Sequence, residues 1–234
     1  MLMLSVQNLT KEYRNVKAVD HISFFVERGE VAVLIGENGA GKSTTIQSIV
    51  GILRYKGQIK IGEYENKSLE AKRSLAYVPE IPSMFPLLTV REHVLFMAKA
   101  YGVEPTDDEI DSLLKRFELF DKQDKLGDEL SKGMMQKVSI CCALVVNPEV
   151  LILDEPMVGL DPKAIKELKQ VIEEMKANGK TILISTHMME MVDTIWDRVI
   201  LMKKGKVITD MTRLEAGEAD LEGLFFERSE ASHE

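Results

Sequence analysis

Apolar and polar residues follow three different rhythms along the chain. Residues Leu4 to Leu9 and Ala18 to Val26 alternate, and the second segment ends at the turn Arg28-Gly29-Glu30. Alternation with period two buries one face of a strand, so this region predicts antiparallel strands. The runs Val31 to Ile35, Val150 to Leu153 and Thr181 to Ile184 contain almost no polar residue. Strands of that kind are buried on both faces, as in a parallel sheet covered by helices. Gly57 to Gly62 and Leu75 to Val78 predict two further short strands, the second ended by Pro79. From Leu88 to about Phe120 the spacing becomes helical: Val90, Val94, Met97 and Ala98, then Ile110, Leu113, Leu114 and Phe117. Gly102 and Pro105 separate these two helices, and Asp107-Asp108-Glu109 sets negative charge at the start of the second.

The same reading predicts helices over Thr45 to Val50, from about Met134 to Val146 where Asn147-Pro148 stops it, over Ile165 to Met175 with Asn178-Gly179 after it, and over Met188 to Trp196. A hairpin about Lys203-Lys204-Gly205 joins Arg198 to Met202 with Lys206 to Thr209. From Arg213 the chain is acidic except for Leu221, Leu224, Phe225 and Phe226, which predict a small docked appendage followed by a frayed end. The Pro-rich stretch Pro79 to Pro86 carries Met84 and Phe85, either exposed for docking or packed beneath the loop.

Candidate chemistry centres on Gly36-Glu37-Asn38-Gly39-Ala40-Gly41-Lys42-Ser43-Thr44. It follows a buried strand and opens a helix, the context in which G-x-x-x-x-G-K-[ST] binds phosphate. The glycines turn successive N–H groups inward, and the new helix adds the positive end of its dipole. Lys42 supplies a full charge to the outer phosphates, and the Ser43 hydroxyl is a ligand for Mg²⁺. Val150 to Leu153 delivers Asp154 and Glu155 to the carboxyl end of a strand, where open α/β sheets bind ligands. Asp154 is placed to hold Mg²⁺ through its water shell, and Glu155 to polarise the water that attacks a γ-phosphate. His187 also ends a buried strand, within reach of such a phosphate.

Bulk composition narrows the setting. The 234 residues are 45% hydrophobic and 29% charged, with a net charge of -8 and a pI near 5.2. That balance argues against non-specific nucleic-acid binding. Adjacent Cys141 and Cys142 read as reduced core residues, since a metal site needs more ligands. Met1-Leu2-Met3-Leu4 is too short for a secretory signal, and no apolar run approaches the roughly 20 residues of a membrane span. The expectation is an intracellular chain that meets any membrane through a partner.

Taken together, these motifs resemble the ATP-binding subunit of ABC transporters as far as about Arg228. Leu130-Ser131-x-Gly133 shortly before the Val150 strand, followed by Gly159-Leu160-Asp161 and His187, sets that class apart from other P-loop NTPases. The resemblance implies an α/β fold: a P-loop NTPase core with a mixed central sheet, an N-terminal antiparallel β-subdomain and an inserted α-helical subdomain holding the signature segment. It places the core at 1–86 and 148–212, the helical insertion at 87–147, and an appendage at 213–234. It also implies a head-to-tail dimer, with itself or a related ATPase subunit, closing on two Mg·ATP. Each ATP lies between the P-loop of one subunit and Ser131 and Gly133 of the other. On it Tyr13, otherwise a half-buried packing residue, matches the adenine-stacking aromatic. Asp161 matches the residue contacting the opposite subunit, and His187 the switch histidine.

Two segments depart from the pattern. Glu80 stands where the family has Gln, and Leu-Ser-Lys-Gly-Met replaces Leu-Ser-Gly-Gly-Gln. An ionised Glu80 still ligates Mg²⁺ but donates no hydrogen bond. The substitutions and the Leu221 to Phe225 segment are similar to ATPase subunits of bacterial exporters whose membrane subunits are separate chains. The implied function is therefore ATP-driven energy coupling for integral membrane permease subunits at the cytoplasmic membrane face. The alternative is a soluble ABC-type ATPase in nucleic-acid, ribosome or cofactor-assembly work. A single cassette and the acidic balance weigh against it.

Overall fold

The computed structural model describes residues 1–14, 16–217 and 220–225. The chain opens with two long strands, β1 (Leu2–Tyr13) and β2 (Val16–Glu27), paired antiparallel. Both run past the alternating segments. Asn8 and His21 adopt positive φ, and the pairing register shifts between Val6 and Leu9, so an irregular strand breaks the period-two pattern. Strands β3 (Val31–Ile35), β4 (Lys56–Ile61) and β5 (Tyr64–Glu65) follow, with helix α1 (Lys42–Ile49) between β3 and β4. A six-residue helix α2 (Leu69–Ser74), capped by the Ser68 side chain, is too short to show helical periodicity in the sequence. It precedes β6 (Leu75–Val78).

The helical insertion forms as the spacing predicts. Helices α3 (Val90–Tyr101) and α4 (Asp107–Arg116) each start with a capping box, Thr89 with Glu92 and Thr106 with Glu109. Helix α5 (Lys132–Leu144) follows two short 3₁₀ turns. The chain then returns through β7 (Val150–Asp154), α6 (Pro162–Ala177), β8 (Thr181–Thr186), α7 (Met189–Val192), β9 (Arg198–Lys203), β10 (Lys206–Thr212) and α8 (Arg213–Ala216). Helix α7 is one turn, shorter than the predicted Met188 to Trp196, because residues 193–196 leave the helix to bury Ile195 and Trp196.

Two sheets result. The antiparallel one has the order β2-β1-β4-β5, and the mixed one β10-β9-β3-β8-β7-β6, parallel except at the β9–β10 hairpin. Successive residues of β3 divide between two cores. Val31, Val33 and Ile35 pack with the helices of the insertion side, while Ala32 and Leu34 face α1 and the antiparallel sheet. This explains the uninterrupted apolar run: both faces of the strand are interior. Cys141 and Cys142 are buried free thiols, and burial pushes both up, Cys142 to about 12. Leu221 and Leu224 are buried in the first core with Phe225 packed beside them, whereas Phe226 lies outside the described residues. Among the described residues no helix is long and apolar enough to cross a membrane.

The β9–β10 hairpin is tied to the loop after β3. Gly205 N–H donates to Ala40 O at 2.9 Å, and Gly205 O accepts from Asp20 N–H at 2.8 Å. Gly205 has φ 77, and a Cβ there would stand 2.8 Å from Ala18 O. Gly205→Ala should therefore cost about 2 kcal/mol, a fall in Tm of about 4–8 °C for a chain of this size. A thermal melt with no shift would show that this junction is not strained.

Candidate functional site

The loop between β3 and α1 is fixed by close backbone packing. A Cβ on Gly36 would meet Met202 O at 2.4 Å, and one on Gly41, at φ 106, would meet Ala18 O at 2.6 Å. Helix α1 starts at Lys42, earlier than expected, and no side chain caps its N-terminus. Its first-turn N–H groups are thus available to an anion, with the dipole behind them. The Lys42 ammonium is buried and folds back over the loop, donating to Gly36 O at 2.7 Å and Glu37 O at 3.4 Å. Asn38, Gly39, Gly41, Lys42, Ser43, Thr44, Glu80, Glu155 and His187 line one cleft of about 430 Å³, with Ala18 of β2 as a further wall.

Sheet register places the carboxylates. Asp154 ends β7 beside Ser185 of β8, and the Ser185 hydroxyl donates to Asp154 Oδ1 in a short hydrogen bond. Burial raises the Asp154 carboxyl above its ordinary range, with Ser185 opposing the shift and the nearby Glu80 and Glu155 charges adding to it. Glu155 is buried with φ 47, a left-handed conformation uncommon outside glycine. Its N–H donates to Ser185 O at 3.0 Å. Its Oε1 lies 3.7 Å from Lys42 Nζ and 2.9 Å from His187 Nδ1, and its Oε2 accepts from His187 N–H at 3.3 Å. With the carboxylate ionised, His187 Nδ1 is the donor. Burial, then the charges of Asp154 and Glu80, push the Tyr77 phenol well up.

Two carboxylates, Glu80 and Glu155, and one lysine line the cleft, with buried Asp154 next to Glu155, and the carboxylates and the Ser43 hydroxyl are hard oxygen donors suited to Mg²⁺. Among the described residues no cluster of three His, Cys, Asp or Glu side chains forms a protein-only cage. Glu80 and the Ser43 hydroxyl on the cleft are donors that would hold such an ion together with the phosphates of a nucleotide. An anion cradle facing carboxylates at strand ends can position a phosphate ester and polarise water against it.

The remaining predicted residues lie outside this cleft. Tyr13 ends β1, 44% exposed, with Lys11 Nζ 4.7 Å from its ring centre. Ser131 is the exposed N-cap of α5, accepting from Met134 N–H at 3.4 Å. Gly133 backs against the Gly159 carbonyl. Asp161 caps α6 through Ala164 N–H at 2.9 Å and pairs with Lys137 at 2.7 Å, which holds its carboxyl below the usual range. Of the two apolar loop residues, Phe85 is 54% exposed, but Met84 is not exposed and packs against the core. Sequence reasoning missed Ser185, whose link to Asp154 follows only from strand register, and the Met202–Gly205 backing of the loop.

Comparison with known proteins gives this geometry its setting. The family described as ABC transporter matches residues 19–158, more than half of the chain. The SkfA peptide export ATP-binding protein SkfE of Bacillus subtilis is 37% identical over 214 residues, covering 90% of each chain. The ABC-type transporter ATP-binding protein EcsA of the same organism is 37% identical over 247 residues, covering 100% of both. The solved ATP binding subunit of an ABC transporter superposes with a TM-score of 0.89 at 35% identity, over 97% of this chain and 99% of that one. A match of this extent shows that the chain belongs to the ABC transporter family, as an ATP-binding, ATP-hydrolysing subunit that supplies a membrane transporter with energy.

Proposed function

We propose that the chain drives an exporter from the cytoplasmic face of the membrane, as one of two ATPase subunits paired head to tail. The observation that carries this reading is the separation of the site into two halves. Lys42, Glu155 and His187 converge in one cleft, while Ser131 and Gly133 stand at the exposed start of α5 and line no part of it. A second copy, or a related subunit, turned end for end supplies the missing half. The export direction draws on the relative named for peptide export.

The role of each residue follows from its chemistry. Gly36 to Gly41 and the open N-terminus of α1 bind the phosphates, and Lys42, released from the loop carbonyls, neutralises the outer ones. Tyr13 offers an exposed ring to the adenine. Ser43, Asp154 and Glu80 would hold Mg²⁺, which when bound neutralises charge between the outer phosphates. Glu155 orients and deprotonates the attacking water, and His187, hydrogen-bonded to Glu155, senses the γ-phosphate from the cleft's mouth. Ser131 and Gly133 serve the opposite subunit's ATP, with Asp161 near the same interface. In this division residues 1–86 and 148–212 form the core, 87–147 the helical subdomain and 213–234 the appendage.

The partner surface lies where the core meets the insertion. Ile81, Phe85 and Leu87 are exposed on the loop after β6, next to exposed Phe96 of α3. Ile81, Phe85 and Phe96 border a mostly apolar cavity of about 370 Å³. His93 braces the loop: its Nε2 accepts from Phe85 N–H at 2.9 Å while Nδ1 faces Thr89 O at 2.7 Å. An apolar patch of this kind suits a segment of an integral membrane permease subunit.

Glu155→Gln tests the pairing, because it blocks the chemical step while keeping the side chain's shape. Size-exclusion chromatography with Mg·ATP should show a dimer that wild type populates only briefly, and adding Ser131→Arg should abolish it. A dimer that persists in the double variant would remove Ser131 from the interface. For Glu80, replacement by Ala should lower hydrolysis by about tenfold or more while ATP affinity, dominated by the P-loop, changes little. Replacement by Gln should be better tolerated. Equal turnover in all three proteins would make Glu80 a bystander on the loop.

A further inference from the structure

We propose that Lys137 is a positioning residue that couples the two ATP sites of the pair, by fastening the start of α5 to the loop that leaves Glu155 of the same chain. The inference rests on the head-to-tail reading above and concerns what happens inside one subunit.

The loop from Pro156 to Asp161 connects Glu155, at the end of β7, to α6. Helix α5 grips this loop along its whole length. The Gln136 amide donates to Pro156 O at 3.3 Å. A Cβ on Gly133 would stand 2.7 Å from Gly159 O, so backbone meets backbone there. The aliphatic stem of Lys132 lies along Gly159. Lys137 Nζ then closes the far end on Asp161 Oδ2 at 2.7 Å, with Glu118 Oε2 more distant at 3.8 Å. The Lys137 side chain is only 11% exposed, against half-exposed Asp161, whereas that of Lys163, which pairs with Glu118 nearby, is 72% exposed. An ammonium largely withdrawn from water keeps its partner more firmly than a surface one does.

The loop has little freedom at either end. Asp161 caps α6, and Glu155 is held by Ser185 O and by His187 in a left-handed backbone conformation. A residue in that region stays there only while its surroundings impose it. Movement at the start of α5 must therefore reach Glu155. In the pair, that start meets the nucleotide of the opposite subunit, while Glu155 acts on the chain's own. Occupancy of one site then sets the carboxylate geometry of the other, and the ion pair is the tie that makes α5 and the loop move together.

The test is the ATP dependence of steady-state hydrolysis by the full chain. Wild type should give a Hill coefficient approaching about 2, the number of sites in the pair, and Lys137→Met should bring it to about 1. Lys137→Arg should restore it. ADP affinity by calorimetry should be unchanged in both variants, showing that each is folded and that its own P-loop is intact. Should Lys137→Met lose ADP binding, Lys137→Gln, which removes the charge facing Asp161 and keeps a polar end, carries the same expectation of a coefficient of about 1. Cooperativity equal to wild type in the folded variant, or a wild-type coefficient of one while Glu155→Gln still dimerises, overturns the coupling and leaves the head-to-tail reading standing. Failure of Glu155→Gln to dimerise with ATP overturns that reading and this inference with it.

Discussion

A lysine ammonium and a glutamate carboxylate, both buried, stand 3.7 Å apart at the edge of the parallel sheet, and the rest of the site is arranged around their coexistence. Removing two such charges from water costs several kcal/mol per ion, repaid only by close pairing and further hydrogen bonds. Those bonds are present: Lys42 donates to two loop carbonyls, and Glu155 accepts from the His187 ring and backbone. Neither group packs in a way that improves the core. They persist because a phosphate needs the first and a water nucleophile needs the second, so stability is given up locally for chemistry.

Apolar packing of the scaffold holds that arrangement in place. β3, β7 and β8 pair in parallel register with both faces interior, so their carboxyl ends form one edge. Lys42 enters from the first turn of α1, Asp154 and Glu155 from the end of β7 and just beyond it, and Ser185 and His187 from the end of β8 and just beyond it. Behind the loop, the hairpin at Met202 to Gly205 leaves no room for a side chain at Gly36. The antiparallel sheet contributes Ala18 as a wall of the cleft, and the helical insertion places Ser131 away from it.

How much of this could be read from the residues differs by element. Runs such as Val31 to Ile35 announce themselves because burial on both faces removes polar residues altogether. The loop after β3 and the acids after Leu153 are legible because phosphate chemistry tolerates few alternatives at those spacings. What escaped depends on contacts distant in sequence. Ser185 becomes a partner of Asp154 only once β7 and β8 are in register, and Lys137 meets Asp161 only once α5 is packed against the loop before α6. Helix α2 is too short for its period to register, and the helix after His187 stops early because Ile195 and Trp196 are drawn into the core. Met84 illustrates the same limit: nothing local distinguishes a loop residue that packs inward from its neighbour Phe85, which does not.

The dependence of the site on one buried charge pair is most directly tested by a double-mutant cycle on the nucleotide-free protein. Lys42→Met alone leaves Glu155 and Asp154 buried without their cation, and the thermal melt should move down by several degrees. Adding Glu155→Gln removes the stranded charge, and most of the lost stability should return although the protein stays unable to hydrolyse ATP. The coupling free energy from the four melting curves should be about 1–3 kcal/mol. Strictly additive shifts would contradict the account, because they would mean that Lys42 and Glu155 do not sustain each other in the resting site.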